Sequence, residues 1–176
     1  DRMPIRLGRP NVTLRSRLGP AQTRIRAVGA QETPKQHKLI VEPELARELD
    51  VLIFVSADGV KISGLTFSAG LLNIYLSMAS GCEVTDNYFD FCKFYHVDAY
   101  KCRGLLLARN RSRAALTNSF KLDLCRQCVV RENVFSEDPA AVHLTGSCDN
   151  QIADNRFLGC SWHGVVLGDG SNANRV

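Results

Sequence analysis

Apolar residues alternate with polar ones over short stretches of this chain, and the stretches recur at a fixed interval. Four segments share one frame, an apolar residue, two variable places, an Asn, one more place and then Phe or Ser: Val84 to Phe89 around Asn87, Leu107 to Ser112 around Asn110, Val130 to Phe135 around Asn133, and Ile152 to Phe157 around Asn155. Ile62 to Phe67 precedes them with Leu65 in the Asn place, and the steps from 65 to 155 are 22, 23, 23 and 22 residues. Thirteen residues before each of these places stands another apolar residue, Leu52, Ile74, Val97, Phe120 and Val142. Two residues further on come Phe54, Leu76, Ala99, Leu122 and Leu144, while Val165 and Leu167 open the next repeat. Alternation with a period of two marks strands with one buried face, and a period of 20 to 50 residues marks stacked repeats.

Leucine-rich repeats have a similar period but need an L-x-x-L-x-L frame and helical return segments, and neither is present. Three short strands per repeat, stacked ~4.8 Å apart as in a parallel sheet, account for the pattern. The expected fold is therefore all-β: a right-handed parallel β-helix of about seven rungs of 22–24 residues, forming a single domain over 1–176. Val12-Thr-Leu14 parallels Val60-Lys-Ile62 at a distance of 48, which suggests two rungs. Between them, 30–50 is expected to be an irregular rung with a surface loop or a short helix, from Pro34, Pro43 and the stretch Glu44 to Leu49. The last residues, Ser171 to Val176, begin another rung, so the chain is expected to be a fragment of a longer protein.

These repeats resemble the pectin-lyase-like β-helix superfamily, whose members carry an Asn ladder in the tight turn between the second and third strands. The resemblance implies a ladder of Asn87, Asn110, Asn133 and Asn155, with Phe67, Phe89, Phe135 and Phe157 stacked inside and a gap at Ser112. The seven Cys residues follow the rung period rather than a disulfide framework. They are expected to be mostly free, buried thiols acting as small hydrophobes. Cys125 and Cys128 form the only C-x-x-C, which lacks the partners of a zinc site.

Composition adds little: 45% hydrophobic and 23% charged residues are ordinary for a globular domain. No apolar run is long enough to cross a bilayer, so no membrane insertion is expected, and residues 1–10 show no signal peptide. The formal charge of +4 inclines the chain mildly toward acidic partners. No basic tract interleaved with aromatics points to nucleic acid.

In the frame of the superfamily, the strand before each Asn belongs to the first sheet, whose outer face binds polysaccharide in the enzymes. Alternation places Asn73, Tyr75 and Ser77 outward in one rung, His96, Asp98 and Tyr100 in the next, then Ser119, Lys121 and Asp123, then Ala141, His143 and Thr145. Asp98, Lys121 and His143 should stand in a row. Such a set suits β-elimination or C5 epimerisation of a uronic acid, in which a cation neutralises the substrate carboxylate, a base removes the α-proton and an acid protonates the leaving oxygen. Lys121, His143, His96 and Tyr100 are the candidate catalytic groups, with Asp98, Asp123, Tyr75 and Asn73 contacting substrate. Asp98 and Asp123 are also candidate ligands for Ca2+. The pattern is nearest to the chondroitinase-B and alginate-lyase branch, which implies an acidic polysaccharide as partner and a secreted or periplasmic location. Thr117, Ser119, Leu124 and Thr145 depart from that branch's Lys-Ser and Arg places. Two alternatives stand beside it: a non-catalytic polysaccharide-binding or surface-structural β-helix, and a glycoside hydrolase of polygalacturonase type using Asp138 and His163.

Overall fold

The architecture is that of a computed structural model, which describes residues 4–26 and 51–176. Seventeen strands run in the order β1 Ile5–Leu7, β2 Thr13–Arg15, β3 Arg24–Arg26, β4 Val51–Val55, β5 Lys61–Ser63, β6 Thr66–Ser77, β7 Glu83–Thr85, β8 Tyr88–Tyr100 and β9 Leu106–Ala108. They continue as β10 Arg111–Ala115, β11 Asn118–Asp123, β12 Val129–Arg131, β13 Val134–Ser136, β14 Ala140–Thr145, β15 Gln151–Ala153, β16 Arg156–Leu158 and β17 His163–Leu167. Every pairing is parallel. The fold is a parallel β-helix, and no helix occurs among the described residues.

The strands from Val51 to Leu158 close five turns, fewer than the sequence suggests. The reason lies at the N-terminal end. β1, β2 and β3 pair directly with β4, β5 and β6, so Thr13 lies against Lys61 and the 48-residue interval separates neighbouring tiers, not tiers two apart. The irregular rung expected over 30–50 lies outside the described residues. A second correction concerns the first full turn, where Ile53 and Val55 are fully buried while Leu52 and Phe54 are only partly so. Ile53 pairs with Ile74, 21 residues on. One residue less in that interval moves the whole strand by one place, and in a pleated strand such a slip exchanges the two faces.

Each rung turns its second corner on a single residue with positive φ, Gly64, Asp86, Arg109, Glu132 or Asp154, at 54° to 67°. Only Gly takes this conformation without steric cost. At the other four corners the next residue is an Asn whose side chain locks the turn. Asn110 shows the arrangement: its Oδ1 accepts from Asn87 N (3.1 Å) and Nδ2 (3.2 Å), while its own Nδ2 donates to Val84 O (2.8 Å) and Asn133 Oδ1 (3.0 Å). The ladder continues to Asn155, as expected. A second ladder, missed in the sequence, starts at the first corner: Asn150 Oδ1 accepts from Cys128 N and Asn174 Oδ1 accepts from Asn150 N. Ser147 bonds to Cys125 N in the neighbouring column in the same way.

Phe67 stacks on Phe89 with centroids 5.1 Å apart, and Phe135 stacks on Phe157 at 5.6 Å. The gap at Ser112 is closed from the opposite sheet. Phe120 meets Phe89 edge-on at 6.0 Å and Phe135 at 5.0 Å, which joins the two stacks. Phe157, on the last complete turn, remains 37% exposed. All seven Cys are unpaired, five of them buried, in keeping with the expectation from their spacing.

The space under Ser112 holds a polar corner. Asp138 accepts from Ala115 N (2.7 Å) and Ser112 Oγ (2.9 Å), and Ser112 Oγ also bonds Ser119 Oγ. Nearby, His96 Nδ1 accepts from Asn73 Nδ2 (2.8 Å) and its Nε2–H donates to Arg113 O (3.2 Å), with the ring 5.3 Å from Phe89. Asn73, His96, Ser119 and Asp138 are completely buried. Burial pushes the imidazole of His96 down to about 3 and the carboxyl of Asp138 up to about 6.

Two tests of these bonds follow. Asn110→Ala leaves Asn87 N and Val84 O without their buried partner, at ~1–3 kcal/mol for each unsatisfied group, so urea denaturation should show a loss of about 2–6 kcal/mol. Asn155→Ala, at a half-buried place, should lose less. The pH dependence of His96 and Asp138 is opposed. Stability from a neutral His96 is complete above its ordinary value of 6.5 and is lost as pH falls toward about 3. Stability from a protonated Asp138 is complete below 3.8 and is lost as pH rises through about 6. Compared with wild type, Asp138→Asn should therefore lose stability on going from neutral to mildly acidic pH, and His96→Gln should gain it. Parallel pH profiles for all three proteins would refute the assignment.

Candidate functional site

The outward face of the first sheet is formed by β4, the second halves of β6 and β8, and then β11, β14 and β17. Parallel pairing in register turns its side chains into columns that cross the rungs. One column reads Phe54, Tyr75, Asp98, Lys121, His143, Val166, and the next begins Ser77, Tyr100, Asp123, Thr145. Asp98, Lys121 and His143 thus stand in a row, and Tyr100 lies beside Asp123.

Alternation fails at the start of these strands. β6 and β8 run through the third corner without a break, and their register shifts between Gly70 and Leu72, where two residues of one rung face three of the next. After this bulge two successive residues turn inward, His96 with Val97 and Asn73 with Ile74. His96 is therefore not a catalytic candidate and Asn73 is not a substrate contact, because both are buried in the corner described above. Their place on the outer face is taken by Tyr95 and Asn118, which the sequence reading passed over. The one signal was the change from a 22- to a 23-residue step.

Asp98 and Tyr75 do point outward, but they are 1% and 6% exposed. Tyr75 packs with Val51 and Leu72 under Phe54, Tyr95 and Tyr100. Lys121 is half-buried, with Nζ 3.3 Å from Asp123 Oδ2 and 5.6 Å from the centroid of Tyr95. The Asn118 Nδ2 lies 3.4 Å from His143 Nδ1, and Thr145 Oγ1 lies 3.5 Å from Nε2. Burial, and then the charge of Lys121, lower the pKa of His143 against a smaller pull from Asp123. His143 is consequently neutral at pH 7. Gly168 borders it: a Cβ there would lie 3.2 Å from Leu144 O and 3.4 Å from His143 Nε2.

Two rungs separate Tyr100 from His143, about 9.6 Å at ~4.8 Å per rung, so one sugar does not reach both side chains at one bond. The carboxylates of Asp98 and Asp123 fall in different columns with Lys121 beside both. Calcium takes six to eight oxygens, and among the described residues no three His, Cys, Asp or Glu side chains converge to hold a metal ion. The hydrolase pair is not assembled either: Asp138 is buried in the corner network and His163 is exposed at the start of β17.

Comparison with known proteins places this geometry among its relatives. No curated protein matches the chain. Among solved structures, an alginate lyase from Paenibacillus sp. strain FPU-7 aligns at 12% identity and a TM-score of 0.20, over 70% of this chain and 76% of that one. Residues 16–176 match the family described as periplasmic copper-binding protein (NosD). The repeats, the ladder and a match over nearly the whole length agree, and the chain belongs to the NosD family.

Proposed function

We propose that the outer face of the first sheet binds an acidic polysaccharide and acts on it as a lyase, in the manner of the chondroitinase-B and alginate-lyase branch. The observation that carries this reading is the pairing of Lys121 with His143 in adjacent rungs, both outward and both partly open to solvent. The ammonium of Lys121 has three donors and can hold a substrate carboxylate while keeping Asp123. Neutralising that carboxylate acidifies the proton on the neighbouring carbon. With the amide of Asn118 turned to present its oxygen to an Nδ1–H, Nε2 of His143 is the base that takes this proton. The C–H pair forms the new double bond, the bond to the 4-oxygen breaks, and the imidazolium returns its proton to that oxygen. One residue then serves as base and acid on one face of the sugar, which removes the need for Tyr100 at the bond. Tyr100 and Tyr95 instead offer ring surface to neighbouring sugars.

The family description names copper. Its soft donors would be Cys102, Cys125 and Cys128, but these thiols turn to main-chain carbonyls, Leu76 O at 3.5 Å, Ala99 O at 3.3 Å and Arg126 O at 3.3 Å. Both nitrogens of His96 are engaged, and Met78 is exposed away from any of them. Cys125 neighbours both Cys102 and Cys128, yet among the described residues no group of three His, Cys, Asp or Glu side chains is placed to hold a metal ion, and the donor set does not fit copper. The periplasmic location in the same description supports placing the protein outside the cytoplasm, where such polysaccharides are met.

The regular rungs from Val51 to Leu167 favour a second reading, a binding surface without catalysis, because the corners between these described strands are short. Release of unsaturated product from alginate, pectate and glycosaminoglycans, followed by ultraviolet absorbance, separates the two. For the lyase, Lys121→Ala and His143→Ala should each lower turnover at least about a hundredfold, the scale of a positioned acid or base. Turnover should hold through neutral pH and decline only below 6.5, the ordinary value for His. A binding module gives no product, and its affinity weakens gradually with salt. Neither product nor binding with any of these glycans would refute both readings.

A further inference from the structure

The working face carries little net attraction for a polyanion. Lys121 is matched by Asp123 and flanked by Asp98, and His143 is neutral at pH 7. An acidic glycan therefore needs cations from beside the sheet. The first corner supplies them. After Tyr100 the chain passes through Lys101 and the inward Cys102 to Arg103, and after Asp123 through Leu124 and the inward Cys125 to Arg126. Arg103 and Arg126 are bridged partners on neighbouring rungs, and both are exposed.

Like charges directly opposite one another destabilise a sheet, and basic residues elsewhere among the described strands lie opposite acids or uncharged residues. Arg109 forks onto Asp86, Arg113 lies against Asp90 and Lys61 against Glu83. Arg103 and Arg126 are the one pair of Lys or Arg side chains in register across rungs among the described residues, and neither forms an ion pair there. Arg103 has Gln127 as its partner, with Nε 2.8 Å from Oε1, which orients the guanidinium without neutralising it. The ammonium of Lys101 lies 4.9 Å from the ring centroid of Tyr100, so this cation leans back over the face.

We propose that Arg103 and Arg126 form an oxyanion-binding pair that holds a sulfate half-ester or a second carboxylate of the glycan bound on the adjoining face. The proposal rests on the reading of that face as a glycan surface. Two guanidinium forks one rung apart, ~4.8 Å, can share a single oxyanion, each giving parallel N–H bonds to its oxygens. The bound group relieves the repulsion that the free protein tolerates. It also anchors the sugar chain at one side while Lys121 takes the carboxylate at the reacting centre.

The test is calorimetric titration of the full chain with a sulfated glycosaminoglycan, its desulfated counterpart and an oligouronate. The double variant Arg103→Gln/Arg126→Gln is compared with wild type and with Arg111→Gln/Arg131→Gln, which removes two exposed charges from the other sheets. The pair should weaken binding at least tenfold at a thermal midpoint no lower than that of wild type, and the control less than threefold. A Lys double variant should recover only part of the loss, because it restores charge without the fork. A loss confined to the sulfated glycan identifies a sulfate, and an equal loss with all three identifies a carboxylate. Equal weakening by the pair and the control overturns the proposal. Lys121→Ala supplies the separate check: loss of binding there, with the arginine pair silent, overturns the pair and leaves the face as the site. A wild-type chain that binds none of the three overturns both.

Discussion

Parallel stacking is the constraint on which everything else in this chain depends. Each rung satisfies its main-chain groups only through the rungs above and below it, as in Arg111 N to Asn87 O and Val134 N to Asn110 O. A residue therefore has a fixed neighbour one rung away, and a column of like residues forms wherever the corner geometry is the same. The second corner sets that geometry with a residue in the left-handed region, and non-Gly residues accept the cost because an Asn side chain fastens the turn to the next rung. Loss of one ladder amide leaves two main-chain groups of one neighbouring rung unpaired and takes a donor from the Asn of the other, which is why the column is more than a set of separate bonds.

The same constraint explains what could be read in the sequence. Columns at the second corner repeat one residue type, so Asn87, Asn110, Asn133 and Asn155 were legible, and with them the Phe stack and the inward places of the central rungs. The second ladder was not legible, because its column runs through Cys82, Leu105 and Cys128 before it reaches Asn150 and Asn174. The filling of the Ser112 gap by Phe120 was hidden for another reason: it is a contact between opposite sheets, about which the period carries no information.

On the candidate face, legibility ended at the bulge. Register across rungs follows from the repeat, so the row of Asp98, Lys121 and His143 could be foreseen. Direction within a strand follows from alternation, and alternation assumes that the strand has begun. In β6 and β8 the chain crosses the corner inside one long strand, and the first residues after the bulge still belong to the corner. His96 and Asn73 fell on the wrong side of that line. Burial of Asp98 and Tyr75 was beyond the pattern as well, because it comes from the size of the neighbouring rings.

A solenoid of this kind can acquire chemistry only by breaking a column. Repetition of one charge along a column costs repulsion, and repetition of one apolar residue offers nothing to a reacting bond. The column through Lys121 changes type at every step, from ring to carboxylate to ammonium to imidazole to Val166. Each change also bears on the next group's chemistry: burial, and after it the charge of the ammonium, lowers the pKa of the imidazole, and the rung beyond it places Gly168 beside its ring. In the Arg103 and Arg126 column the opposite choice is made, a repeat of like charge in register with Gln127 as the partner of Arg103. A broken column beside an uncompensated one is therefore the physical mark by which this face differs from the rest of the helix.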